Sequence, residues 1–294
     1  MAPLSPNHFG PDHLAMLTSR GLLPPIFTLG PLPGREPEER SEEISNDLLQ
    51  WGVVDSTGSL TKDARELFLG IYEADFSYWG TLLLYNEREP FQVEMDQELI
   101  DMGFGNAFSD IPRVHWQVSY LPETEHVHML MRAGDSITVT RTPIINSLNE
   151  TISRAILSIL DPHKTWPAAS FSPIKFPVDV FSKVSAFDSK GNPVDSVANE
   201  KSVRNALQSF GVDSDTSTRF LSLANQEILA STPIYFSDEE VGDPTTYALK
   251  LDFVYDVGIV LNRPGSDVHG RKCLVQEGAT IPRLADAVSK MRKQ

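Results

Sequence analysis

Two imidazoles flank Val127 in His126-Val127-His128, and alternate residues of a strand point to the same face. Such a pair can begin a zinc site, but a tetrahedral metal needs a third and a fourth ligand. Glu123 and Glu125 lie nearby, yet no further Cys or His accompanies them, so a solvent-facing strand is expected there. Asp55-Ser56-Thr57-Gly58 has one residue too many for the aspartic-protease turn. That chemistry also needs a second carboxylate to build its dyad, and Asp188-Ser189-Lys190-Gly191 does not supply one. Both stretches read as tight turns. Asp238-Glu239-Glu240 with Asp243 lacks the spacing of a calcium loop and reads as a solvated acidic loop. The chain has no P-loop, dinucleotide fingerprint, nucleophile elbow or His-Glu-x-x-His. Cys273 is the single cysteine, which excludes an intramolecular disulfide and suits a reducing compartment. No catalytic, cofactor-binding or metal-binding residue is assigned. The enzyme reading that remains is a hydrolase or transferase with a site assembled only in three dimensions, around His115, His126 and His128. An adaptor that self-associates through sheet edges is a third reading.

The elements that would position such groups suggest a binding protein instead. With 25 basic and 40 acidic residues the 294-residue chain carries a formal charge of −15, which repels nucleic acid and anionic lipid. No apolar run approaches the roughly 20 residues of a membrane span. The polar, proline-broken residues 1–10 do not resemble a signal peptide, so a cytoplasmic protein is expected. Helices are predicted at 12–20, 38–51, 60–74, 147–160, 195–210, 214–224 and 280–292 from apolar residues at helical spacing. Ser147-Leu148-Asn149-Glu150 is a capping box. Strands are predicted at 78–85, 113–120, 127–132, 136–141, 226–236, 247–255, 258–262 and 272–276. Ala133-Gly134-Asp135 turns one hairpin. Residues 22–36 are too proline-rich for a helix and read as an extended surface arm. Residues 86–112 read as a long irregular passage.

Strands that follow one another without a crossover helix pair antiparallel. The same order, helix then meander then closing helix, occurs twice. The expected fold is therefore α+β, with two pseudo-symmetric halves, each a mainly antiparallel sheet flanked by helices. The halves are 1–160 and 178–294, joined by a proline-rich linker at 161–177 and packed as one unit.

Several stretches resemble the EspG family, the secretion-associated chaperones of actinobacterial type VII (ESX) systems. They are Leu23-Pro24-Pro25, Pro33-Gly34-Arg35-Glu36-Pro37-Glu38-Glu39-Arg40, and Leu49-Gln50-Trp51-Gly52-Val53-Val54-Asp55 with Gly58. The likeness continues through 60–69, the hairpin at 131–139, the helix opened by Ser147-Leu148, and Gly270-Arg271 with Leu274-Val275-Gln276-Glu277-Gly278. The passage 86–112 is longer than the family pattern, and Asn262-Arg263-Pro264-Gly265 stands where an Asp-Thr-Pro-like turn is usual. The resemblance implies a cytosolic, cofactor-free chaperone, monomeric or weakly dimeric when free. It would bind the helical tip of the PPE chain in a PE–PPE heterodimer, keep that pair soluble and direct it to its ESX channel. It also implies that the client meets the central sheet and a C-terminal helical bundle.

A chaperone for an apolar tip needs a preformed apolar patch with a polar rim. Arg204, Phe210, Arg219, Phe220, Asn225 and Gln226 combine aromatic anchors with hydrogen-bonding groups in the second half, and are the expected partner-binding residues. Core packing is the alternative for Phe210 and Phe220.

Overall fold

The computed structural model describes residues 9–30, 40–87, 89–90, 109–183, 196–238, 249–267 and 269–293. At the centre, β1 (Phe76–Leu84) pairs antiparallel with β8 (Ile228–Asp238), with Trp79 opposite Tyr235. From β1 a meander runs outward through β4 (Arg113–Leu121), β5 (His126–Ala133) and β6 (Ser136–Pro143). From β8 a second meander runs the other way through β9 (Leu249–Val254), β10 (Gly258–Ser266) and β11 (Lys272–Gly278). Beyond β11 lies β7 (Ile174–Pro177), completing nine strands. The sheets of the two halves are thus one continuous sheet, sewn together by the β1–β8 ladder. A two-residue pair, β2 (Glu89–Pro90) with β3 (Ser109–Asp110), stands apart from it.

Each meander ends in a helix, α4 (Leu148–Leu160) after β6 and α7 (Ile281–Met291) after β11. The Ser147 hydroxyl caps α4 by accepting from Glu150 N–H at 3.3 Å, one half of the predicted capping box, while Ser147 N–H donates to the Ile145 carbonyl and the Glu150 carboxylate accepts from Asn146. The two helices lie side by side on one face of the sheet and share a core with Tyr78, Trp116, Val118, Phe236 and Leu251. The Tyr78 hydroxyl donates to the Val288 carbonyl at 2.7 Å, which satisfies a polar group buried in that core. Burial pushes this phenol well above its ordinary pKa.

The other face is covered in two separate blocks. Helices α1 (Pro11–Ser19), α2 (Ser41–Gln50) and α3 (Lys62–Tyr72) form the first, with Phe68, Leu130 and Ile137 at the seam with the sheet. Contacts of α3 run across β4, β5 and β6. The second block, α5 (Ser196–Ser209) with α6 (Ser214–Ala224), packs towards β7 and β11 through Leu207, Phe220 and Phe176.

Four expectations are corrected. His126 and His128 do not lie on a solvent-facing strand: His128 is 0% exposed beneath α3, because Gly70 offers no side chain where the imidazole sits. The extended arm is not a loose surface segment. Leu23, Ile26 and Leu29 are buried among α1–α3, and Phe27–Leu29 forms a 3₁₀ turn, while 31–39 lie outside the described residues. The stretch read as a linker carries β7, preceded by Pro173 and ending in Pro177, which suits an outer strand that needs few ladder donors. Residues 262–265 are not a turn but part of β10, paired with β11. The turn falls after them, where the Asp267 carboxylate accepts from His269 and Arg271 N–H. Residues 91–108, Asp188-Ser189-Lys190-Gly191 and Glu239, Glu240 and Asp243 lie outside the described residues.

Candidate partner-binding surface

Among the described residues, no helix covers the centre of the sheet between the two helical blocks. Strand β1 turns Phe76, Tyr78 and Leu82 into the α4–α7 core, so its alternate residues Ser77, Trp79, Thr81 and Leu83 face the opposite side, all half-buried. On β8, Tyr235 and Ser237 fall on the same side and are also half-buried. Trp79 and Tyr235 lie ring on ring, 4.7 Å between centroids and 33° between planes. The exposed Lys250 follows on β9, ion-paired to Asp252 at 2.9 Å. Asp252 in turn accepts from Asn262 Nδ2 at 2.7 Å. The result is an aromatic centre with a polar border, walled by α1–α3 on one side and α5–α6 on the other. An amphipathic floor of this kind has the composition of a protein-binding patch.

Two positions shape this floor. A Cβ on Gly80 would sit 2.1 Å from the Pro233 carbonyl oxygen and 3.0 Å from the Trp116 ring. The absence of that atom lets the Trp116 indole reach across β1 and donate to Thr232 Oγ1 at 3.0 Å. The β1–β8 ladder is interrupted here between the Trp79–Tyr235 and Leu83–Ser231 pairs. Pro233 has no N–H to contribute to it.

The six residues expected from sequence lie on or just after α5 and α6, and the structure divides them. Arg204 on α5 donates to Thr218 Oγ1 on α6 at 2.9 Å, tying the two helices together. Arg219 is exposed and donates to Thr216 Oγ1 at 3.2 Å. Asn225 caps the end of α6 and donates to the Glu200 carboxylate on α5; Gln226 follows it, exposed. Phe220 is core instead, 8% exposed and 4.5 Å from the Phe176 ring. Phe210 is half-buried at the edge of the same cluster. Arg219, Asn225 and Gln226 therefore present groups to solvent, and Phe220 holds up the helix that presents them. Next to Asn225 and Gln226, Ile228 and Tyr255 are 39% and 51% exposed. The Tyr255 N–H donates to the Glu227 carbonyl at 2.9 Å, which brings the two loops together.

The sequence reading did not select Trp79, Tyr235, Ile228 or Tyr255. The signal for Trp79 was present: an indole among Ser77 and Thr81, on the face of β1 opposite Phe76 and Tyr78. Tyr235 needed the β1–β8 pairing, which joins residues 156 positions apart and leaves no local trace.

The imidazoles do not assemble into a catalytic group. His115 pairs with Arg132 across β4 and β5, whereas His128 pairs with Ser119. Four residues of strand separate the two, roughly 13 Å at about 3.3 Å per residue. His128 Nδ1 faces the Leu67 carbonyl at 3.2 Å and Nε2 faces Thr124 Oγ1 at 3.0 Å, so both ring nitrogens are engaged. Burial pulls its pKa down to about 4. Among the described residues no group of three or more His, Cys, Asp or Glu side chains gathers as a metal site would. Cys273 is buried, which pushes its thiol up. A cleft of about 570 Å³ on the opposite face, between α4 and the start of α7, is walled by Leu157, Trp166, Ile259 and Ile281. The carboxylate facing it, Asp161, is taken up by Thr165 and by the Trp166 N–H. No described helix is long and apolar enough to cross a membrane.

No protein-family model matches the chain, and no curated protein matches it. Among solved structures, the Mycobacterium tuberculosis type VII secretion system chaperone EspG5, in complex with the PE25–PPE41 dimer, is similar with a TM-score of 0.61. The match covers 95% of this chain and 93% of that one, at 14% identity. At that identity the likeness is one of fold, and the fold of this chain, a nine-stranded antiparallel sheet with helices on both faces, is EspG-like.

Proposed function

We propose that this chain is a cytosolic chaperone of type VII secretion. It binds the helical tip of the PPE chain in a PE–PPE heterodimer, keeps the pair soluble and directs it to its ESX channel. It transforms no substrate. The observation that carries this reading is the full-length likeness to EspG5, a chaperone solved with a PE–PPE dimer. The open aromatic floor between the two helical blocks adds physical support. A helical tip with apolar residues at its end loses water on such a floor, at about 25 cal/mol per Å² of apolar area removed. The groups around it, Lys250 on the sheet and Arg219, Asn225 and Gln226 by α6, would satisfy the polar rim of the tip. Phe220 and Phe210 contribute by keeping α5 and α6 in place. The spacing of His115 from His128 counts against the hydrolase or transferase alternative.

The experiment is co-expression with the PE–PPE pairs of the same genome. A stoichiometric 1:1:1 complex on size-exclusion chromatography, with more soluble pair than without the chain, is the expected result. If every pair elutes separately and its solubility is unchanged, the reading is wrong.

A further inference from the structure

Phe27 is 88% exposed, yet the turn that carries it is held on every side. Ile26 before it and Leu29 after it are buried, at 8% and 0% exposure. The Thr28 hydroxyl donates to Gln117 Oε1 at 2.6 Å, and Arg132 Nη1 donates to the Leu29 carbonyl at 3.1 Å. Gly30 closes the turn at φ +71°, with the His115 ring 2.9 Å from where a Cβ would stand. Each of these contacts is to β4 or β5. Gln117 is the direct neighbour of Trp79 across the β1–β4 ladder, and His115 the neighbour of Thr81. Phe27 therefore stands on the first-half rim of the open floor, across from α5 and α6.

A lone exposed phenylalanine on a flexible loop would need no explanation. A residue whose backbone is fixed by a hydroxyl, a guanidinium and a glycine at positive φ has already lost its main-chain freedom, so only side-chain entropy remains to be lost when the ring is covered. Large aromatics presented in this way are the residues that dominate interface energies. We infer that Phe27 is an anchor of the partner interface, inserting into an apolar notch on the partner's helical tip while the Trp79–Tyr235 floor covers the end of that tip. A convex ring needs a concave apolar acceptor, and the grooves between side-chain ridges of packed helices provide one. The inference rests on the proposed function and adds to it a second, separate contact on the opposite wall of the groove.

The test is isothermal titration of the full chain with purified PE–PPE heterodimers from the same genome and with PE25–PPE41. Phe27→Ser should weaken the binding of a pair recognised by the unaltered chain fivefold or more at an unchanged thermal midpoint, since the ring makes little of the core. Phe27→Trp should stay within that margin. Thr28→Val, which frees the turn from Gln117, should weaken binding with the ring still present. If the unaltered chain binds a pair and Phe27→Ser weakens it less than fivefold, the anchor is wrong and the chaperone reading stands. If the unaltered chain binds none of the pairs, both fall.

Discussion

Gly80 and His128 are the positions where single atoms decide how the sheet packs. A methyl group at Gly80 has no room, because the obstacle is the Pro233 backbone carbonyl, 2.1 Å away, and not a side chain that could rotate. Gly80→Ala should therefore cost about 3 kcal/mol, at the upper end for overpacking, read as a lower urea midpoint. The substitution should also move the Trp116 indole off Thr232, which near-ultraviolet circular dichroism would report. His128 makes stability depend on pH. Burial chiefly, with smaller contributions from Arg141 and His126, keeps the folded imidazole neutral down to about pH 4, against an ordinary value of 6.5. Between those limits the unfolded chain binds a proton that the folded chain refuses, so stability is full above pH 6.5 and falls as the pH drops towards 4. His128→Gln should flatten that part of the profile in urea titrations at stepped pH. An unchanged slope would mean that the ring is not the titrating group.

The helices α5 and α6 pose a different question, because one of them carries both core and candidate surface residues. Phe220→Ala opens a cavity against Phe176 and should cost about 3–4 kcal/mol. Arg219→Glu, on the exposed side, should change stability by no more than about 0.5 kcal/mol yet lower affinity for a PE–PPE pair. Measuring both quantities on both variants separates support from contact. The helices and meanders were legible in the sequence because their signals are local: the Ser147 cap, the Gly134-Asp135 turn and the apolar stripe of α3. The surface was less so. Phe220 carries the composition of an interface residue, and only the position of Phe176, 44 residues earlier, assigns it to the core. Strand β7 escaped notice because four residues, the last of them Pro177, have no period to read. His128 was misplaced for a similar reason: nothing in β5 announces that Gly70 of α3 will lie on top of it.

The described residues build one nine-stranded sheet, with the small β2–β3 pair apart, whose centre carries no described helix on one side and whose β6 edge is blunted. On β6 the Ile137 N–H is already bonded to the Phe9 carbonyl at 2.7 Å, and Pro143 ends the strand without a donor. Between them the alternate positions of the strand are only Val139 and Arg141, too short a stretch to seed pairing with another copy. Sedimentation velocity over a hundredfold range of concentration should give no growth through this edge, and a variant Pro143→Val should behave alike. The charge of −15 favours solubility of the free chain. On the proposed function this floor, and not the α4–α7 face, meets the client. Titrating one cognate PE–PPE pair into Trp79→Ser/Tyr235→Ser and, in parallel, into Arg154→Glu tests it most directly. Affinity should drop tenfold or more for the floor variant and stay within twofold for the other; an unchanged floor variant, or a loss confined to Arg154→Glu, would contradict the account.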